Sequence, residues 1–445
     1  MYTSFIGKKF LDAWNVREDS NLTARQFFDE VMFPVFFNEE KHLLHVSNSP
    51  FFQNLSAKDL ASGRSEPEIR RENLHNNILH KNPNASIYVG FGAEDATATT
   101  SGQMTNMPGK IEAEEIYASW IGEALAFGVR APFYLLFDKI ELLWGAFEGW
   151  KIYRDFLSQT PKIKGRQIET WNGQWIRHWL EGGDASNFNA DFEEKTDPKT
   201  KGKYWALTMV KWPQLVFALC KRFPNETVTV NVYQLDKSNK TLGFISLKLY
   251  EVREMYEVRD HFFLDQKSSV LSDKEIEKLE SAFSFKRACE QGTIGLKALQ
   301  PDELRDYLPQ RGDKKPKEFN ITDDKSYQQF HLFKLWIYAM LNKTELLELA
   351  GQLASILHTF EGKAERGKAI YSQRSEELRT ANSLRIFVDK LGDILADYPP
   401  AAITFHHAVE QVVKMPSDLF PLFVTLLRFE YNYQKSHPQV IHSPN

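Results

Sequence analysis

The sequence predicts an α+β fold: a mixed N-terminal body carrying an antiparallel hairpin, followed by a C-terminal helical bundle. Three observations predict it. Thr227–Leu235 (TVTVNVYQL) and Leu242–Tyr250 (LGFISLKLY) alternate with period two, and the six residues Asp236–Thr241 between them close a hairpin. Beyond residue 325 the apolar residues recur at helical spacing; Leu384, Phe387, Val388, Leu391, Ile394 and Leu395 form one stripe. Between these regions Gln310–Lys325 (QRGDKKPKEFNITDDK) has the composition of a linker. The expected division of the 445 residues is a body at 1–310, a linker at 311–325, a bundle at 326–434 and a flexible tail at 435–445.

Taken in order, Thr23 is placed to N-cap a helix through Phe27, Phe28, Val31 and Met32, ending near Pro34. Asn54–Pro83 is polar and expected on the surface. Ser86–Gly92 (SIYVGFG) reads as a short strand running into a long loop, Glu94–Lys110, which holds no large apolar residue except two methionines. A helix follows at Ile116–Leu125, stopped at Gly128. Ala131–Phe137 reads as a buried strand and Ile140–Leu157 as a helix. Gly182–Lys203 is polar enough to be a mobile loop. After the hairpin, Ser272 caps an expected helix over Asp273–Gln291, and Leu332–Leu349 is apolar nearly all round, as in a buried helix. Leu419–Phe429 is a further helix, interrupted by Pro421.

Composition narrows the function. The 13% of aromatic residues supplies large cores and leaves material for stacking surfaces. Cys220 and Cys289 are the only cysteines, which excludes a disulfide framework or a four-cysteine zinc site and fits a reducing cytoplasm. Met1–Phe10 has no apolar core of a signal peptide, and Leu419–Leu427 is too short to span a bilayer, so no membrane role is expected. The net charge of −4 shows no globally basic nucleic-acid binder. It hides a patch: Lys151, Arg154, Lys162, Lys164, Arg166 and Arg177 face only Asp155 and Glu169 between residues 151 and 177, with Trp150, Trp171 and Trp175 in or beside it. The patch is either a solvated face over a tryptophan core or a track for a sugar-phosphate backbone with bases stacked on the rings.

The sequence holds no complete catalytic constellation. Gly102–Lys110 has six residues between its glycines where a P-loop needs four, and Ile111 where Ser or Thr is required. His42 with His45, and His406 with His407, lack a second ligand pair, so no metal and no cofactor is expected. Glu193-Glu194-Lys195 and Asp323-Asp324-Lys325 carry the residue types of a metal-dependent nuclease but fall in polar segments without an evident strand to hold them. Cys220 lies in an apolar run and reads as core rather than nucleophile. The Glu94–Lys110 loop is different: Thr99, Thr100, Ser101, Gln103, Thr105 and Asn106 donate and accept hydrogen bonds, and Lys110 adds charge, a set suited to phosphates or a groove and equally to a flexible surface loop.

Three stretches resemble the large subunit of type I CRISPR surveillance (Cascade) complexes, particularly the compact variants. They are TATTSGQMTNMPGKIEAEEIYASWIGEAL, TVTVNVYQLDKSNKTLGFISLKLY, and the C-terminal RSEELRTANSLRIFVDKLGDIL with PSDLFPLFVTLLRFEY. The resemblance covers about a third of the chain. It implies a non-catalytic DNA-binding subunit that reads a protospacer-adjacent motif in duplex DNA and helps to open it, while guide pairing reads the target. Motif reading would then fall on Thr100, Gln103, Thr105 and Asn106 with Lys110 on phosphate, and backbone contacts on Lys162, Lys164 and Arg166. The implied partners are guide RNA, the other Cascade subunits, double-stranded target DNA and a helicase-nuclease. The alternative from the residues themselves is a metal-dependent endonuclease of a restriction or defence system.

Overall fold

A computed structural model describes residues 1–46, 48–90, 111–130, 133–198, 200–234, 240–262, 271–310, 314–319, 323–362 and 368–437. The fold is α+β. The chain divides into two units. The first comprises Met1–Tyr250 with Phe285–Ile294, and the second comprises Glu251–Ser284 with Gly295–Asn445.

The first unit is built on a five-stranded sheet: β1 (Phe127–Val129), β2 (Phe133–Phe137), β5 (Thr227–Gln234), β6 (Lys240–Lys248) and β7 (Thr293–Ile294), hydrogen-bonded in that order. All pairs are antiparallel except β6–β7, which is parallel. The alternation read from the sequence is the burial pattern of β5: Val228, Val230 and Val232 are buried while Thr227 and Thr229 face water. The helix Trp212–Arg222 covers this face, its Leu215, Val216 and Leu219 meeting Leu135, Phe137, Val230 and Leu247. A bulge between Val232 and Tyr233 and the left-handed Gly243 (φ 95°) bend the hairpin.

Helices pack beside the sheet at glycines. Where the helix Tyr2–Arg17 crosses the helix Ala113–Ala124, a Cβ on Gly7 would lie 1.8 Å from the Ala118 carbonyl oxygen and one on Gly122 would lie 2.0 Å from that of Thr3. The helices Ile140–Gln159 and Ile168–Leu180 meet through tryptophans. Trp150, Trp171 and Trp175 donate their indole N–H groups to the carbonyls of Ala124, Gly149 and Gly145. All three rings are buried, which removes them as stacking surfaces for a ligand.

Several local expectations change. Ser86–Gly90 is turn rather than strand, because side chains satisfy its backbone: Ser119 accepts from the Val89 N–H, and Thr3 and Trp120 donate to the carbonyls of Val89 and Ile87. Gly128 lies inside β1, and the preceding helix ends at Ala124. The polar Gly182–Lys203 stretch contributes a strand, β3 (Phe192–Thr196), which pairs antiparallel with β4 (Lys203–Leu207). Thr23 does form its cap, a reciprocal box with Gln26.

The second unit is helical. Asp324–Leu341, Thr344–Gly362, Lys368–Arg379, Leu384–Asp397 and Ala402–Val413 are followed by Phe420–Ser436, where Pro421 sits in the first turn and starts the helix rather than interrupting it. The apolar stretch Leu332–Leu349 is two helices, because Asn342 takes the left-handed conformation (φ 41°) and ends the first. Ser272 makes its capping box with Glu275, yet the helix stops at Glu277. Arg428 is buried and donates to the carbonyls of Tyr307, Lys317 and Pro316 at 2.7, 2.8 and 3.4 Å, tying the polar segment to the last helix. No helix among the described residues is long and apolar enough to cross a membrane.

Candidate functional site

After the helix Ile140–Gln159 ends, the next seven residues form a rim that turns at Pro161 and Lys162. Ile163 turns inward and is buried, and the backbone is pinned on both sides. The Lys164 N–H donates to the Trp205 carbonyl (2.8 Å), and the Trp205 N–H donates to that of Lys162 (2.9 Å). The Arg166 and Ile168 N–H groups donate to the carbonyls of His42 and Leu43 at 2.7 and 3.1 Å. Lys162 and Arg166 are both left-handed (φ 62° and 65°), a conformation costing an L-residue about 1–2 kcal/mol. A Cβ on Gly165 would lie 2.7 Å from the His42 oxygen, so only glycine lets the rim lie this close. Lys162, Lys164 and Arg166 are exposed residues.

Beside the rim lies a cleft of about 680 Å³. Four cations line it from three chain segments: Lys164 and Arg166 on the rim, Arg130 at the end of β1, and Lys195 on β3. Lys195 is paired with Glu193 at 2.8 Å. Among the described residues, Arg130, Lys164 and Arg166 have no carboxylate in ion-pair range. Lys164 instead lies 5.2 Å from the Tyr204 ring, and the Arg166 guanidinium lies 4.2 Å over Phe52. Burial holds the Arg166 guanidinium below its usual range. Arg166 also lines a second cleft of about 600 Å³ with Phe52, His42 and Arg70. Unpaired cations converging on one concavity, with aromatic faces beside two of them, form a receptor for anions such as phosphate.

Tyr134, Gln167, Glu169 and Thr170 also line the cleft. Behind them Glu123 is completely buried (0% exposed); Tyr233 donates its hydroxyl to one carboxylate oxygen and the other has no partner. Burial raises both Glu123, to about 7, and Glu169, and the two repel each other's charge. The Tyr134 and Tyr233 rings meet edge to face at 5.9 Å.

Of the residues expected to bind DNA, Lys162, Lys164 and Arg166 share the rim, whereas Thr100, Gln103, Thr105, Asn106 and Lys110 lie outside the described residues. Arg154 leaves the basic patch: it is buried and donates to the carbonyls of Val35 and Lys41 and to Glu39. Arg130, Tyr134 and Glu123 escaped sequence reasoning, and Lys195 and Glu169 were singled out there only in other roles.

The nuclease candidates take other roles. Glu193, Glu194 and Lys195 stand on β3, held by ion pairs within the hairpin, including Glu194 with Lys203 at 2.6 Å. Asp323 caps the helix Asp324–Leu341. His42 packs against Phe37 and Phe52, and burial pushes its imidazole down to about 4, while His407 contacts Gln411. Cys220 and Cys289 are both buried. Among the described residues no group of three or more His, Cys, Asp or Glu side chains is placed to hold a metal ion. No model of a known protein family, no curated protein and no solved structure matches this chain.

Proposed function

We propose that this chain is the non-catalytic DNA-binding large subunit of a cytoplasmic RNA-guided type I CRISPR complex. It would work with guide RNA and the other Cascade subunits, open double-stranded target DNA beside a protospacer-adjacent motif, and present it to a helicase-nuclease. The observation that carries the reading is the convergence of unpaired Arg130, Lys164 and Arg166 on a preformed rim, in a protein whose acidic residues outnumber its basic ones. Such a rim suits phosphodiester backbone, which positions a nucleic acid without reading its sequence. Motif reading is assigned to Thr100, Gln103, Thr105 and Asn106, with Lys110 on phosphate.

The test uses the assembled complex and duplex DNA. Lys164→Ala with Arg166→Ala should weaken all DNAs alike and lower the salt slope by about two, one for each lost phosphate contact. Gln103→Ala with Asn106→Ala should flatten the preference among flanking motifs and leave the slope unchanged. Unaltered binding in both variants, with the complex intact, overturns the reading. Plasmid cleavage by the purified protein with Mg²⁺, abolished by EDTA, would replace it with the endonuclease reading.

A further inference from the structure

Phosphate contact by the rim makes no use of the two carboxyl groups at the cleft's base. Glu169 lines the cleft while only 5% exposed, and Glu123 behind it has one oxygen without a partner. Burial raises both carboxyls, and the Glu123 charge opposes that of Glu169 as well, so a proton is retained above the ordinary carboxylate range. The groups facing the pair are Tyr233 from β5, Tyr134 from β2 and Tyr153 from the helix Ile140–Gln159, with Arg130, Lys164, Arg166, Tyr204 and the paired Glu193 and Lys195 around the cleft. No histidine lines the cleft. The two histidines near Arg166, His42 and His45, are both pushed down by burial and by the rim cations and stay neutral. Around neutral pH, then, the carboxyl pair is the titrating element at this site.

We propose that the cleft is a proton-linked phosphate site, in which a phosphodiester seated among Arg130, Lys164 and Arg166 and the proton held by Glu123 and Glu169 favour each other's presence. The proposal rests on the nucleic-acid reading above and adds the regulation of that same site. The reason is reciprocity. A bound anion makes ionisation of the carboxyl pair harder, so ionisation of the pair must weaken the anion's binding by the same factor. For like charges sharing one cleft near a protein surface that factor is on the order of tenfold. Binding at alkaline pH therefore takes up a proton from solution.

The experiment measures binding of rhodamine-labelled oligothymidylate to the full chain from pH 6 to 8.5, at fixed low ionic strength. Its diester phosphates keep a constant charge over that range. The wild-type affinity should fall roughly tenfold with rising pH, whereas Glu169→Gln should lose most of that fall and bind more tightly than wild type at pH 8.5. Glu123→Gln is the second variant and should lose a smaller part of the fall, because burial still holds the Glu169 carboxyl up after its charged neighbour is gone. Lys164→Ala with Arg166→Ala should be weaker at every pH. Parallel profiles for wild type and both glutamine variants overturn the proton linkage and leave the nucleic-acid reading standing. Absence of wild-type binding at every pH overturns both.

Discussion

Glu123 meets one hydroxyl, from Tyr233, and its second oxygen meets no donor. Its raised pKa has a signed consequence for stability. Below about 4.5 the carboxyl is protonated in the folded and unfolded chains alike and contributes no pH dependence. Above that value the unfolded chain releases the proton and the folded chain does not, so stability falls as pH rises until the folded group ionises near 7. The total is on the order of 3 kcal/mol. Glu123→Gln should remove this slope, leaving the variant closer to wild type in stability at pH 5 and more stable than it at pH 8. Urea unfolding followed by tryptophan fluorescence reads this cleanly, because nine of the ten tryptophans lie in the first unit and only Trp336 in the second. Equal slopes for the two proteins would contradict it. The same residues show what a sequence conceals. Lys162, Lys164 and Arg166 were legible as a site because their charges are adjacent in the chain. Arg130, Lys195, Glu123 and Glu169 come together only through the sheet and two helices, and no local pattern announces that.

Between elements, glycine decides distance. The crossing of Tyr2–Arg17 over Ala113–Ala124 brings backbone against backbone, so Gly122→Ala forces the two helices apart and should cost at least about 3 kcal/mol, through overpacking and loss of the contacts around it. Gly351 is the internal control. It lies within the helix Thr344–Gly362 with open space where a Cβ would go, and Gly351→Ala should stabilise by about 0.5–1 kcal/mol. Thermal unfolding of the two variants checks both signs. Element by element, the β5–β6 hairpin was legible because alternation survives wherever one face is buried. The Ser86–Gly90 segment was misread because its β-rich composition serves burial among helices, with hydrogen bonds taken from side chains. Asn342 broke a helix that apolar composition alone ran straight through, since polarity patterns record what is buried and not where the backbone reverses.

At the scale of the whole molecule, residues 314–319 of the polar stretch are less free than its composition suggests. Phe319 is buried against Tyr307, Phe330 and Phe429, and Arg428 gathers three carbonyls from Tyr307, Pro316 and Lys317. Arg428→Met should leave those oxygens unpaired and loosen the segment by about 2–3 kcal/mol. Limited proteolysis of the full chain should then cut within 310–325 at least tenfold faster than in wild type. Unchanged cutting would mean that Phe319 alone holds the segment. The chain's path has a different outcome during synthesis. β6 finds its last neighbour only when Thr293 arrives, 47 residues after its partner Ser246. At ribosomal rates of about 5–20 residues per second, the outer edge of β6 waits roughly 2–10 seconds for its strand. During that interval it is an open template carrying Phe244, which is 61% exposed even in the finished fold. The nascent protein is therefore most open to mispairing with another copy after its longest hairpin is complete and before its shortest strand is made.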